Sequence, residues 1–409
     1  MNAQTNASRG LLAGLLALVA IGLLAAIYFS PIWWVSLTAP NYPPESFPDG
    51  VRIHFHMNGV FNGCQKVEKA EIHEDEALDC VHEMDTINHY VGMYPIAAGG
   101  VVERAFSPFI ITLLGVMVLG FAIPGRGLRL IVMGLGFAGI LGWMGLTLYS
   151  EDGLEYQNLG YLSPLVTARD QEGGIEKKSH KPSPAAALLP PMRAELGEPA
   201  AQGKDDQAKK ERESEKEFLI ESLESRFEKT QERLPPDQRQ EWTGSGIQTL
   251  LWHYETSLGR YFNDPVLIAP MVQGMAIATH AFFWILVAAM LLLLWGAWKG
   301  AGLLFWLLVL APLALPLFFI IDYAAWLWWY GHTLNDMGAF TVKPFMPTVF
   351  GDGKVAQFAT HSYPSLGFGL MVLFSVVLAA LALVRRKGKL GAQGTPPRAW
   401  SRSRDWSCP

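Results

Sequence analysis

Histidine and methionine gather in two stretches of this chain. Val51-Arg-Ile-His-Phe-His-Met57 carries His54, His56 and Met57, and the following Val81-His-Glu-Met-Asp-Thr-Ile-Asn-His-Tyr-Val-Gly-Met93 carries His82, Met84, His89 and Met93. His73 lies between them, and His332, Met337, Met346 and His361 stand much later. Imidazole with thioether is a donor set suited to copper, because soft sulfur selects Cu(I). Residues 51–57 alternate apolar and polar with period two, which predicts a half-buried strand with His54 and His56 on one face. A helix over 81–94 places His82, Asp85, His89 and Met93 on one face by i+3 and i+4 spacing. Convergence of the two faces gives a copper site from His54, His56, His82, His89 and Met93, which His332 or His361 could close. The plainer reading has weight at each position. A single histidine is more often hydrogen-bonded or packed than ligating, His73 reads as a solvated surface residue, and His253 reads as packing.

Other chemistry is sparse. Asp322 and His280 are the two ionisable residues that fall in or beside apolar runs, and such groups at membrane depth are functional hypotheses by default. Twenty residues of helix from Gly302 place Asp322 near an interface, where it can simply be wet. The chain has no Cys-x-x-Cys-His, Walker A, Gly-x-Gly-x-x-Gly after a strand, His-Glu-x-x-His or Gly-x-Ser-x-Gly. No enzyme class is indicated. One histidine within a span argues against paired haem ligands.

The elements that position these residues follow from composition. Of 409 residues 50% are hydrophobic and 17% charged, with 14 Trp and a net charge of −5. That excludes an ordinary soluble enzyme and a basic nucleic-acid binder. It indicates an integral membrane protein, mainly α. Six apolar runs are long enough to span about 30 Å of hydrocarbon: 11–32, 106–123, 130–149, 275–298, 302–321 and 366–384. Arg9, Arg126, Arg129, Lys299, Arg385, Arg386, Lys387 and Lys389 fall on one side of such a six-helix bundle, so both termini are expected in the cytoplasm. Loops 37–105, 150–272 and 331–363 are then extracytoplasmic. The first run is longer than a signal-peptide core and leads into Trp33 and Trp34, an aromatic belt, which favours an uncleaved anchor over a cleaved leader. Pro312 and Pro316 predict a kink in the fifth span.

The domain reading is an anchor at 1–36, a loop domain at 37–105, helix hairpins at 106–149 and 273–330 and an insertion at 150–272. A third loop at 331–363 and a last helix with a basic tail at 364–409 complete it. The loop domain is expected to be small and mixed α/β. Cys64 and Cys80, both outside, predict a disulfide around an acidic ring, the alternative being two thiolate metal ligands. Cys408 is cytoplasmic and reduced on this topology. Residues 170–215 read as a disordered linker, 211–234 and 247–261 as amphipathic helices, and the third loop as short, Pro-rich and ordered.

Met84-Asp-Thr-Ile-Asn-His-Tyr-Val-Gly-Met-Tyr-Pro-Ile96, Lys343-Pro-Phe-Met-Pro347 and Ser362-Tyr-Pro364 resemble a family of bacterial multi-pass inner-membrane proteins from copper-handling gene neighbourhoods, notably those serving nitrous-oxide reductase. The resemblance covers the first and third loops with their flanking spans, and 170–240 looks like an insertion. It implies an inner-membrane accessory role with His89 and Met93 in the signature segment. The first functional expectation is therefore copper handling or maturation of a partner metalloenzyme. The alternative is a non-catalytic subunit or scaffold whose outer loops dock a periplasmic or membrane protein. A transporter ranks third, because the spans hold almost no ionisable residues. The partners expected are the lipid bilayer and a protein, not nucleic acid.

Overall fold

The chain opens with an apolar helix, α1 (Asn2–Phe29), and turns at Ser30 and Pro31 into strand β1 (Trp33–Thr38). In the computed structural model, which describes residues 2–65, 78–173, 202–339, 344–355 and 357–393, Trp33 and Trp34 thus begin a sheet rather than a lipid-facing belt. The reason is local: Trp-Trp-Val-Ser-Leu-Thr is aromatic and β-branched, and Pro31 ends the helix before it. Strands β2 (Val51–His56) and β3 (Gly59–Asn62) form a hairpin about Met57-Asn58. Helix α2 (Cys80–Val91) follows, N-capped by Asp79, which accepts from the amides of Val81 and His82, and closed by Gly92 at φ 99°. The expected short helix is therefore present, but Met93 lies beyond its end.

Helix α3 (Ala97–Ala122) starts well before the run at 106, so Glu103 and Arg104 lie inside it rather than ahead of it. Helices α4 (Arg126–Tyr149), α5 (Leu159–Gly173), α6 (Gln202–Gln231) and α7 (Gly246–Leu258) come next. Residues 202–215, read as disordered linker, are thus helical, and 174–201 lie outside the described residues. Helix α8 (Pro265–Lys299) precedes α9 (Leu303–Leu313) and α10 (Leu315–His332), which meet at a 64° bend between Pro312 and Pro316. The bend is the expected proline kink. The third loop holds two strands, β4 (Gly351–Val355) and β5 (Phe358–Pro364), before the last helix α11 (Leu366–Gln393). The acidic ring with His73 and the tail with Cys408 lie outside the described residues.

Among the described residues five helices are long and apolar enough to cross a membrane, and the bent pair α9–α10 makes a sixth if it is one span. At 1.5 Å per residue α8 is about 52 Å long, well beyond the hydrocarbon thickness. At one end of the bundle the basic residues are fixed by geometry. Arg129 donates to the carbonyls of Ile123, Pro124 and Ala297, and Arg385 donates to that of Ala122. Each cation thereby caps a helix C-terminus.

The antiparallel sheet, order β3-β2-β1-β5-β4, sits at the opposite end. Its two central strands continue the first and last helices, which pack on each other. The Gly367 amide donates to the Pro31 carbonyl and the Ser365 amide to that of Ile32. The sheet is thus tied to the helices through backbone, not through a linker. One apolar core fills the bundle, and a second lies between the sheet, α2 and the near ends of α8 and α10.

Candidate functional site at the junction of sheet and helices

The Cys64–Cys80 disulfide is formed, with Cα atoms 5.9 Å apart. Asn62 braces it: its side-chain oxygen accepts from the amides of Cys64 and Cys80, and its side-chain nitrogen donates to the Leu78 carbonyl. The staple therefore fixes the N-terminus of α2 against β3.

It does not bring the histidines of strand and helix together. Val51 and Ile53, on the apolar face of β2, are buried in the same core as Met84, Ile87, Val91 and Met93, so this is the strand face that meets α2. Burial of apolar area orients the strand, and its alternation then turns His54 and His56 to the opposite face. His89 stacks on Tyr261 at 4.6 Å and meets Phe262 at 4.7 Å. His82 faces the guanidinium of Arg260 at 3.5 Å. His332 stacks on Trp328 and bonds its carbonyl, His280 bonds the hydroxyl of Tyr149, and His253 is buried against Ser257. Among the described residues no group of three or more His, Cys, Asp or Glu is placed to hold a metal ion.

The register does place His54 and His361 on one sheet face. His54 lies opposite Phe61 and Trp34, and Trp34 lies opposite Tyr363. In the next row Arg52 lies opposite Ser36, Ser36 opposite His361, and His361 opposite Asp352. Two strand spacings across and two residues along separate His54 from His361 by about 12 Å, with side chains standing parallel. One ion at ligand distances of about 2 Å cannot bridge them. His361 is instead paired with Asp352 at 2.6 Å, and that hydrogen bond holds the Asp352 carboxyl below the usual range. The Arg52 guanidinium lies 4.4 Å over Trp34. Burial pushes the His56 imidazole down to about 4, with His54 adding to the effect, and burial followed by the Arg52 charge lowers His54. Both rings are therefore neutral near pH 7. The result is a half-exposed face of Phe61, His54, Trp34 and Tyr363 edged by Arg52 and the His361–Asp352 pair.

Two cavities lie where the sheet meets the helices, one of them reaching round the end of β2 at His56. The larger, about 80 Å³, is walled by β1, β2, α2, α10 and β5, with Met84, Met93, Phe55 and Phe358 among its lining and Asn88 as its one amide side chain. The smaller, about 50 Å³, is lined by His56, Gly59, Glu103, Asp322, Trp326 and Tyr330. Phe55, Ile96, Tyr323 and Leu327 line both. Tyr330 fixes α10 on α3: it donates to the Ile96 carbonyl and accepts from the Gly99 amide at 2.9 Å. Gly99 permits the approach, since a Cβ there would lie 2.8 Å from that hydroxyl. Asp322 and Glu103 are thus two carboxylates on the wall of a mostly apolar cavity at the sheet end of the bundle, beside Trp326.

Sequence reasoning missed two features. Asp85 is fully buried, accepts from the Ile96 amide and lies 3.7 Å from Arg260, so it joins α2, the start of α3 and the turn before α8. Burial pushes its carboxyl up to about 7, against the stabilising Ile96 amide and Arg260. Nothing in the sequence links residues 175 positions apart. Arg104 was legible, because the buried Ala98, Val101 and Ala105 extend the helical period back past it. It is buried and lies near Gly59 and Phe61. Comparison with family models, with curated proteins and with solved structures finds no match to this chain.

Proposed function

We propose that the bundle spans a bacterial inner membrane with both termini in the cytoplasm, and that the chain is a non-catalytic membrane subunit whose extracytoplasmic sheet docks a protein partner. The topology is supported by the basic residues that cap helix ends away from the sheet. The docking reading is supported by one observation above all: the half-exposed face that sets Trp34, Tyr363, Phe61 and Arg52 in adjacent rows. Aromatic residues and arginine are enriched in the energetic centres of protein interfaces. Backbone ties between sheet and helices make the platform rigid, so docking costs little ordering entropy.

The copper-handling reading needs three or four ligands on one ion. Among the described residues no group of three or more His, Cys, Asp or Glu is placed to hold an ion, so nothing there favours that reading over docking. The test is a photo-activated cross-linker placed at Trp34 or Tyr363 in native membranes. The expected result is a discrete protein adduct that Arg52→Glu removes. Adducts to lipid alone, or a protein adduct indifferent to Arg52, would remove the basis of the reading.

A further inference from the structure

We propose that the 80 Å³ cavity between the sheet and α2 is a binding site for a small apolar group bearing a carbonyl, held through the side-chain amide of Asn88. Asn88 lines this cavity, is 5% exposed, and its Nδ2 meets no acceptor among the described residues. A buried donor without an acceptor is costly to a fold, and a native structure keeps one where something else supplies the acceptor.

The walls say what that something is. Val35, Leu37, Ile53, Phe55, Ile87 and Val91 are apolar, and Met84 and Met93 are buried thioethers that adapt to irregular shapes. Water is a poor occupant, since the walls are overwhelmingly hydrocarbon. Besides Asn88 the lining offers only the hydroxyls of Tyr323, Thr348 and Thr360, and that of Tyr323 is engaged with Ser362 at 3.1 Å. A carbonyl needs one donor and leaves its apolar body against the hydrocarbon walls. The volume is about half that of a cavity known to take benzene, so the group is a small ketone or ester, or the ester-proximal part of an acyl chain. The inference is independent of the docking face, which lies on the other side of the sheet.

The test uses the full chain in deuterated detergent, with acetone and its apolar isostere 2-methylpropene as probes read by saturation-transfer NMR. Wild type is expected to bind both saturably and to prefer the ketone by about threefold to tenfold, the range of one net hydrogen bond. Asn88→Leu should erase the preference while retaining 2-methylpropene, Asn88→Ser should keep part of it, and Met93→Phe should fill the cavity and remove both. Thermal unfolding of each variant checks that it is folded. Saturable binding of neither probe, an occupant that is an ordered water only, or a ketone preference that survives Asn88→Leu would overturn the proposal. Mass spectrometry of co-purified lipid separates the sources. A phospholipid retained by wild type and lost in Asn88→Leu assigns an ester of the bilayer, and none retained with acetone bound assigns a free carbonyl compound.

Discussion

Replacing Asp85 by Asn should flatten the pH dependence of stability. In the folded chain burial raises the Asp85 carboxyl from 3.8 to about 7, with the Ile96 amide and Arg260 pulling the other way. A raised carboxyl binds its proton more tightly in the folded than in the unfolded state, so its stabilisation is complete below about pH 4 and is lost as pH rises through about 7. Three pH units at 1.36 kcal/mol each give about 4 kcal/mol across that window. Asp85 is 1% exposed, so solvent screening does not reduce this much. Asparagine keeps the oxygen that accepts from Ile96 and cannot ionise. Thermal unfolding of wild type should therefore move several degrees lower between pH 5 and pH 8, and the Asp85→Asn variant should shift far less and be the more stable of the two at pH 8. The charged neighbours Arg260 and Asp79, and His82 beside Arg260, stay in place in Asp85→Asn, so the difference in slope belongs to Asp85. A wild type that gains stability from pH 5 to 8, or an Asn variant with the same slope, would refute the account of this buried contact.

Removing the Cys64–Cys80 bridge by Cys64→Ser should cost roughly 3 kcal/mol, the value for a loop of about 15 residues, read as a lower unfolding midpoint that reductant reproduces in wild type. Gly367→Ala should destabilise by about 1–3 kcal/mol, because its Cβ would lie 2.7 Å from the Pro31 carbonyl where sheet and helices join. Calorimetry checks it, and a neutral result would mean that junction is loose. His89→Ala should lower the unfolding midpoint through lost stacking on Tyr261 and Phe262 while leaving metal content unchanged. A loss of bound copper in that variant would restore the ligand reading. Reporter fusions after residue 62 and after residue 264 should both read extracytoplasmic, and a cytoplasmic signal at either would invert the topology.

The helices were legible because an apolar run of twenty residues has few alternatives in water or lipid. Their bounds were less so. Trp33 and Trp34 read as a belt because aromatic pairs after a span usually are, yet the register shows them pairing with Phe55 and His54 on one side and Pro364 and Tyr363 on the other. The second pairing joins residues more than 300 apart and leaves no local trace. The alternation in 51–57 was read correctly, but it does not say which face meets the helix. The apolar face won, because burying Ile53 against Met84 and Met93 outweighs any gain from imidazoles lacking a metal. The disulfide was legible from spacing and compartment, and the proline bend from Pro312 and Pro316. The strands at 351–364 were not, because Gly351-Asp-Gly-Lys-Val355 has one β-branched residue and two glycines and no apolar alternation until its partner supplies the ladder. The Asp85–Arg260 contact, and the shared cavity wall of Glu103 and Asp322, are properties of the folded chain alone.

The central claim, docking by the sheet face, is tested most directly by native mass spectrometry of the protein extracted with its surrounding lipid. The account predicts that wild type carries a defined protein partner in fixed stoichiometry, that Trp34→Ala with Arg52→Glu releases it, and that chelation of copper leaves it bound. A chain that leaves the membrane alone, with copper retained in fixed stoichiometry and lost on His54→Ala or His89→Ala, would contradict it.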